Sequence, residues 1–150
     1  MKFRLLIFIL LSSASFISFG QNTIDLNATF DIDKMQIKIS QTIQYQNTSN
    51  DILETIYLND WNNSFSSKSS PLALRLAEEY KNEFHFAKNE DRGFSVITVL
   101  QQDEQDVQHE RLENQIDIVK VILNKPLQPG ESYTLHLEYI VQIPNTKFTR

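Results

Sequence analysis

The most constraining feature of this chain is a strict two-residue alternation of apolar and polar side chains. In "TIDLNATFDID" (23–33), Ile24, Leu26, Ala28, Phe30 and Ile32 share one face. "MQIKISQTIQYQN" (35–47) alternates again through Met35, Ile37, Ile39, Ile43 and Tyr45, and "YTLHLEYIVQI" (133–143) through Tyr133, Leu135, Leu137, Tyr139 and Val141, before Pro144 ends it. Period two is the signature of half-buried strands, because successive side chains of an extended backbone point to opposite faces. The short break at Asp33-Lys34 predicts a hairpin with a connection of about two residues.

The rest of the chain supplies more strands and one helix. "NTSND" (47–51) is a turn cluster, "ILETIYLNDW" (52–61) a third strand, and "NEDRG" (89–93) a second turn. "FSVITVLQ" and "IDIVKVIL" read as strands on either side of the polar arm "DEQDVQHERLE". "NKPLQPGES" (124–132), with two prolines and a glycine, predicts a turn of fixed path. Only "SSKSSPLALRLAEEYKNEF" changes period. Ser70 is a cap, Pro71 suits the first helical position, and Leu72, Leu76 and Tyr80 lie four apart, so a short helix is predicted over about 71–83. Six or seven strands with one short helix make the fold mainly β: an antiparallel β-sandwich or a curved, saddle-like sheet.

The first twenty residues read as an export signal, not as part of that fold. Lys2 and Arg4 precede the apolar run "LLIFILL", and small residues follow, with Ser18 and Gly20 placed for a cut before Gln21. The unbroken apolar run is too short to span a bilayer, and no cysteine is present to carry a lipid. The expected division is therefore a signal peptide over 1–20 and a β-domain over 21–150. Losing Lys2 and Arg4 from 14 basic residues against 19 acids takes the net charge from -5 to -7. An acidic chain without a basic patch argues against nucleic acid, and against an anionic membrane surface after signal removal. An exported chain with no cysteine must rely on core burial. Sequons at Asn27, Asn47 and Asn62 matter only in a glycosylating host.

One short stretch imitates a metal site. "HERLE" (109–113) resembles the H-E-x-x-H helix, in which two imidazoles at i and i+4 point at one zinc and the glutamate beside the first acts as base. Here position 113 is Glu113, and the flanking sequence carries only Val107 and Leu112 as large apolar residues, too few for a helical stripe. A polar strand edge or hairpin arm is the preferred reading. His85, His109 and His136 are far apart in sequence; His136 is expected on the solvent side and His85 in a strand or loop between Phe84 and Phe86. No G-x-S-x-G, cysteine nucleophile or glycine-rich phosphate loop is present. "NDWNNSF" sets Trp61 and Phe65 among asparagines; this composition suits a sugar site, but a loop aromatic folded back into the core is the preferred reading.

Taken in order, several segments resemble one family. They are the exported start, "IDLNATFDIDKMQIKISQTIQYQNTSNDILETIYLNDWNNSF", the arginine-glycine of "EDRGFSVITV", and "VILNKPLQPGESYTLHLEYIVQIPNTKFTR". The chain is similar to the N-terminal domain of the aminopeptidase N family of zinc metallopeptidases, especially exported bacterial members. Ile24 to Asn47, Ile56 to Phe65 and Pro126 to Ile143 match the family's opening hairpin, aromatic-asparagine stretch and proline-x-x-proline-glycine-glutamate turn with its long strand. The resemblance implies a non-catalytic domain that packs against a catalytic metallopeptidase domain. Zinc belongs to that catalytic domain, with its G-x-M-E-N and H-E-x-x-H segments, neither of which occurs here. No catalytic, metal or cofactor residue is therefore carried over, and the family domain continues through further strands, so 21–150 is expected to be a fragment of it. The alternative is a free-standing exported β-sandwich that binds a carbohydrate or a protein, with Trp61 and Phe65 as contacts.

Overall fold

The computed structural model describes residues 22–148, so the expected signal peptide lies outside the described residues. Eight strands appear in chain order: β1 (Thr23–Asp31), β2 (Gln36–Gln46), β3 (Leu53–Asn59), β4 (Phe94–Gln102), β5 (Gln105–Asp106), β6 (Gln108–Leu112), β7 (Gln115–Leu127) and β8 (Ser132–Gln142). They form a five-stranded sheet, β1-β2-β8-β4-β5, and a three-stranded sheet, β3-β7-β6. Every pairing is antiparallel. The fold is the expected mainly β, two-layer arrangement with one helix.

The alternation dictates the register. Tyr45 faces Tyr133, Ile43 faces Leu135, and Leu100 faces Leu137, so one face of the larger sheet is apolar across three strands. Val119, Val121 and Leu123 of β7, with Leu53, Ile56 and Leu58 of β3, close over it as the core. Full burial of a side chain such as Val119, Val121 or Leu135 contributes about 1.5–3 kcal/mol. A smaller core joins Phe65, Ala73 and Phe84 with Leu72, Leu76 and Phe148. Beside it the buried Arg92 lies over the Phe84 ring and donates through Nη2 to the carbonyls of Phe84, His85 and Ala87, which holds the 84–91 loop.

Four local expectations need correction. The first hairpin turns over four residues, Ile32 to Met35, instead of two, because Asp31 accepts the Lys34 N–H and Met35 takes a left-handed φ of 51°. Helix α1 spans Pro71–Glu78, shorter than 71–83. Ser70 does cap it, accepting from the Ala73 N–H, but the chain turns at Tyr80 with φ 59°. Lys81 N–H then bonds Leu76 O and Tyr80 N–H bonds Ala77 O, a pattern that closes helix ends. Tyr80 therefore points to solvent and does not extend the apolar stripe. The polar arm is strand, as preferred, but it is split: β5 pairs with β4, β6 pairs with β7, and the buried Val107 between them crosses from one sheet to the other. Finally, Pro126 lies inside β7, not in the turn. The pairing with β3 is irregular between Leu53 and Thr55, where a missing N–H is tolerated. The turn proper is Gln128–Glu131, with Pro129 second and Gly130 third at φ 82°, as a type II turn requires.

Candidate functional site

Five strands lie over three, and the mismatch leaves part of the inner face uncovered. The smaller sheet crosses obliquely. At one end Asn47, just past β2, donates to Leu127 O, and Leu127 pairs with Leu53 at the start of β3. At the other end Asp60, just past β3, bonds to Ser95 on β4. Ile43 and Tyr45 of β2 therefore join the core, whereas Ile37 and Ile39 stay outside it and half-buried. β1 receives no cover: Ile24 is 65% exposed, Leu26 48% and Phe30 51%, with Ile32 and Met35 exposed in the adjoining turn. The expectation of a half-buried β1 is thus corrected. Its alternation and pairing are as read, but nothing among the described residues lies on its apolar side. Ile24 sits opposite the core residue Ile43, so this face continues the core to the surface. Its inner margin is Tyr139, whose hydroxyl donates to Gln41 Oε1 at 2.8 Å; burial pushes the Tyr139 pKa up.

A knot of polar side chains fixes the crossing, and composition did not reveal it. Arg111 Nη2 lies 2.7 Å from Asp60 Oδ2, Ser95 Oγ donates to the same carboxylate, and Arg111 Nη1 donates to Ile116 O. Asn63 donates to Ile116 O and Ser64 to Asp117. Both sheets and the 3-10 turn Trp61–Phe65 are tied together here. Arg111 is the central residue of "HERLE", so that stretch serves the joint between the sheets. Its neighbours on β6 are spread along an extended strand. Glu110 bonds Lys120, whose pKa is raised by that hydrogen bond, while His109 is exposed. His136 lies beside Glu138 on the outer face and His85 packs against the Phe86 ring. Among the described residues, no three His, Cys, Asp or Glu side chains come together as a metal would require.

The two loop aromatics part company. Phe65 is buried against Phe84, as a core aromatic would be, while Trp61 is 59% exposed. Trp61 stands at the lip of a groove of about 790 Å³ whose apolar wall is Phe65, Leu72, Leu76, Phe84 and Phe148. The Asn62 amide is already committed to the carbonyls of Phe94 and Gln142.

The chain is similar to M1 zinc metallopeptidases of known structure. One is a mutant M1 zinc metallopeptidase from Deinococcus radiodurans bound to a Tyr-Ser-Ala substrate: 18% identity, over 79% of this chain and 19% of that one, TM-score 0.48. Another is an M1 zinc metallopeptidase from the same organism: 19% identity, over 85% of this chain and 22% of that one, TM-score 0.47. This chain therefore spans about a fifth of the length of the structures it matches. A TM-score below 0.5 at such identity says nothing about activity. No family model and no curated protein matches the chain. Among the described residues no helix is long and apolar enough to cross a membrane.

Proposed function

We propose that this chain is the non-catalytic N-terminal β-domain of an exported zinc aminopeptidase-like metallopeptidase, and that its uncovered face packs against the catalytic domain. The observation that carries the reading is the apolar surface of Ile24, Leu26 and Phe30, which continues the core outward instead of ending it. Contiguous exposed apolar patches mark interaction surfaces. The order of sequence segments that resembles the aminopeptidase N family supports the same reading. Zinc and the peptide-cleaving residues then belong to the catalytic domain, and this domain helps wall off its active site.

Three measurements test the proposal. Sequencing past codon 150 should find an open frame encoding G-x-M-E-N and H-E-x-x-H; a stop codon with no such partner gene counts against it. The exported chain alone should cleave no aminoacyl p-nitroanilide, and turnover by the pure chain would overturn the non-catalytic role. Intact-mass analysis of exported material should show a chain that starts at Gln21, and retention of residues 1–20 in the membrane would overturn the export reading.

The exposed Trp61 favours a second reading, a free-standing binding sandwich that uses the groove. Trp61 is the only tryptophan, so its fluorescence reports on the groove alone. A saturable shift with oligosaccharides that is lost in Leu76→Ala would favour this reading.

A further inference from the structure

The uncovered face does not end with β1. Past Phe30 it continues into the exposed Ile32 and Met35 of the first turn. Met35 lines a hollow with Asp33, Glu90, Asp91, Ile143 and Pro144. The Ile143 N–H donates to the Met35 carbonyl, which holds that turn against the end of β8. Pro144 also lines the groove at whose lip Trp61 stands, so the two hollows adjoin. One strip with an apolar floor therefore runs from Leu26 and Phe30, over Met35 and Pro144, to Leu76 and Trp61.

Trp61 stands on a fixed support. It opens the 3-10 turn Trp61–Phe65, whose Asn62 amide is clamped to the carbonyls of Phe94 and Gln142 and whose Asn63 amide is clamped to that of Ile116. An aromatic on a fixed backbone loses little freedom when it is covered, the property of an interface anchor. Most charges along the strip are neutralised within the domain: Lys34 by Asp31, Glu90 by Lys88, Asp91 by Lys147, and Lys81 by Glu79. Asp33 and Glu83, one in each hollow, have no partner among the described residues. With the Asn62 amide and both groove lysines committed, the groove offers little to the hydroxyls of a sugar, and its two open charges are both negative.

We infer that the contact with the catalytic domain extends along this strip into the groove, with Trp61 as its anchor. The surface that enters the groove is apolar and carries basic side chains for Asp33 and Glu83. The apolar wall supplies burial, and the two carboxylates supply register and specificity, as charges at an interface do. The inference rests on the proposed function and adds to it a second region, at the end of the sandwich.

Photocrosslinking within the full chain, read past codon 150, tests it. p-Benzoylphenylalanine is placed singly at position 61, at position 26, and at position 57 on the outer face of the three-stranded sheet. Turnover of an aminoacyl p-nitroanilide by each labelled chain shows that it is folded. Positions 61 and 26 should both capture peptides of the catalytic domain, position 57 none, and the peptide caught at 61 should carry Lys or Arg beside apolar residues. Capture at 26 without capture at 61 overturns this inference and leaves the proposed function standing. A label at 61 that captures only the β-domain and its continuing strands, or an acidic catalytic-domain segment, does the same. Capture at 61 without capture at 26 supports the groove contact and overturns the β1 face as the packing surface. Capture at neither position, or a stop directly after codon 150, overturns both.

Discussion

At the residue scale, a few side chains decide what their neighbours may be. A Cβ on Gly93 would meet Pro144 Cδ at 2.7 Å and the Gln142 carbonyl oxygen at 3.0 Å. Gln142 belongs to the backbone of β8, which cannot retreat without breaking its ladder. Gly93→Ala should therefore cost about 1–3 kcal/mol, read as a lower urea midpoint. Tyr133 makes a pH prediction. It is buried, and burial pushes its pKa above the ordinary 10.0 because the phenolate would be desolvated. A folded-state pKa above the unfolded one contributes stability that is complete below pH 10 and is lost as pH rises through the folded value. Tyr139 is shifted the same way by burial. Thermal unfolding should fall steeply above about pH 10, and Tyr133→Phe should lessen that slope; an unchanged slope would show that Tyr133 does not drive it.

At the element scale, the β4–β5 hairpin is built from the wrong residues for its geometry. Asp103 and Glu104 form a two-residue loop between the paired Gln102 and Gln105, and both have positive φ, 48° and 62°. That is the turn for which Asn-Gly is preferred, because a Cβ is disfavoured there. Glu104→Gly should stabilise the domain by about 0.5–1 kcal/mol, measured by urea unfolding; a lower midpoint would mean that the acidic tip makes contacts worth more than the strain. Helix α1 teaches the same lesson in reverse. Its start was legible because Ser70 and Pro71 act locally. Its end was not, because a tyrosine at φ 59° is a rare choice for a helix terminus and carries no signal in the sequence.

At the scale of the whole molecule, the two sides of one alternating pattern differ in what they stabilise. Leu135 lies in the core, whereas Leu26 and Phe30 lie outside it. Leu135→Ala should cost about 2–5 kcal/mol. Leu26→Thr and Phe30→Thr, measured where the chain is monomeric, should change stability by less than about 0.5 kcal/mol, yet reduce the binding of a dye that reports exposed apolar surface. Large destabilisation by either threonine variant would show that the face is packed within the monomer. The sequence by itself determined the long strands, their alternating faces, the pairing of β1 with β2 and the capped helix start, because each follows from neighbours a few residues apart. The same local pattern made Ile24 and Leu135 look alike. Only the tertiary structure decided that Leu135 is covered and Ile24 is not, and that Arg111 of "HERLE" binds Asp60. Those outcomes depend on how far three strands extend over five and on where β3 crosses to Ser95, relations between segments tens of residues apart that no local period encodes.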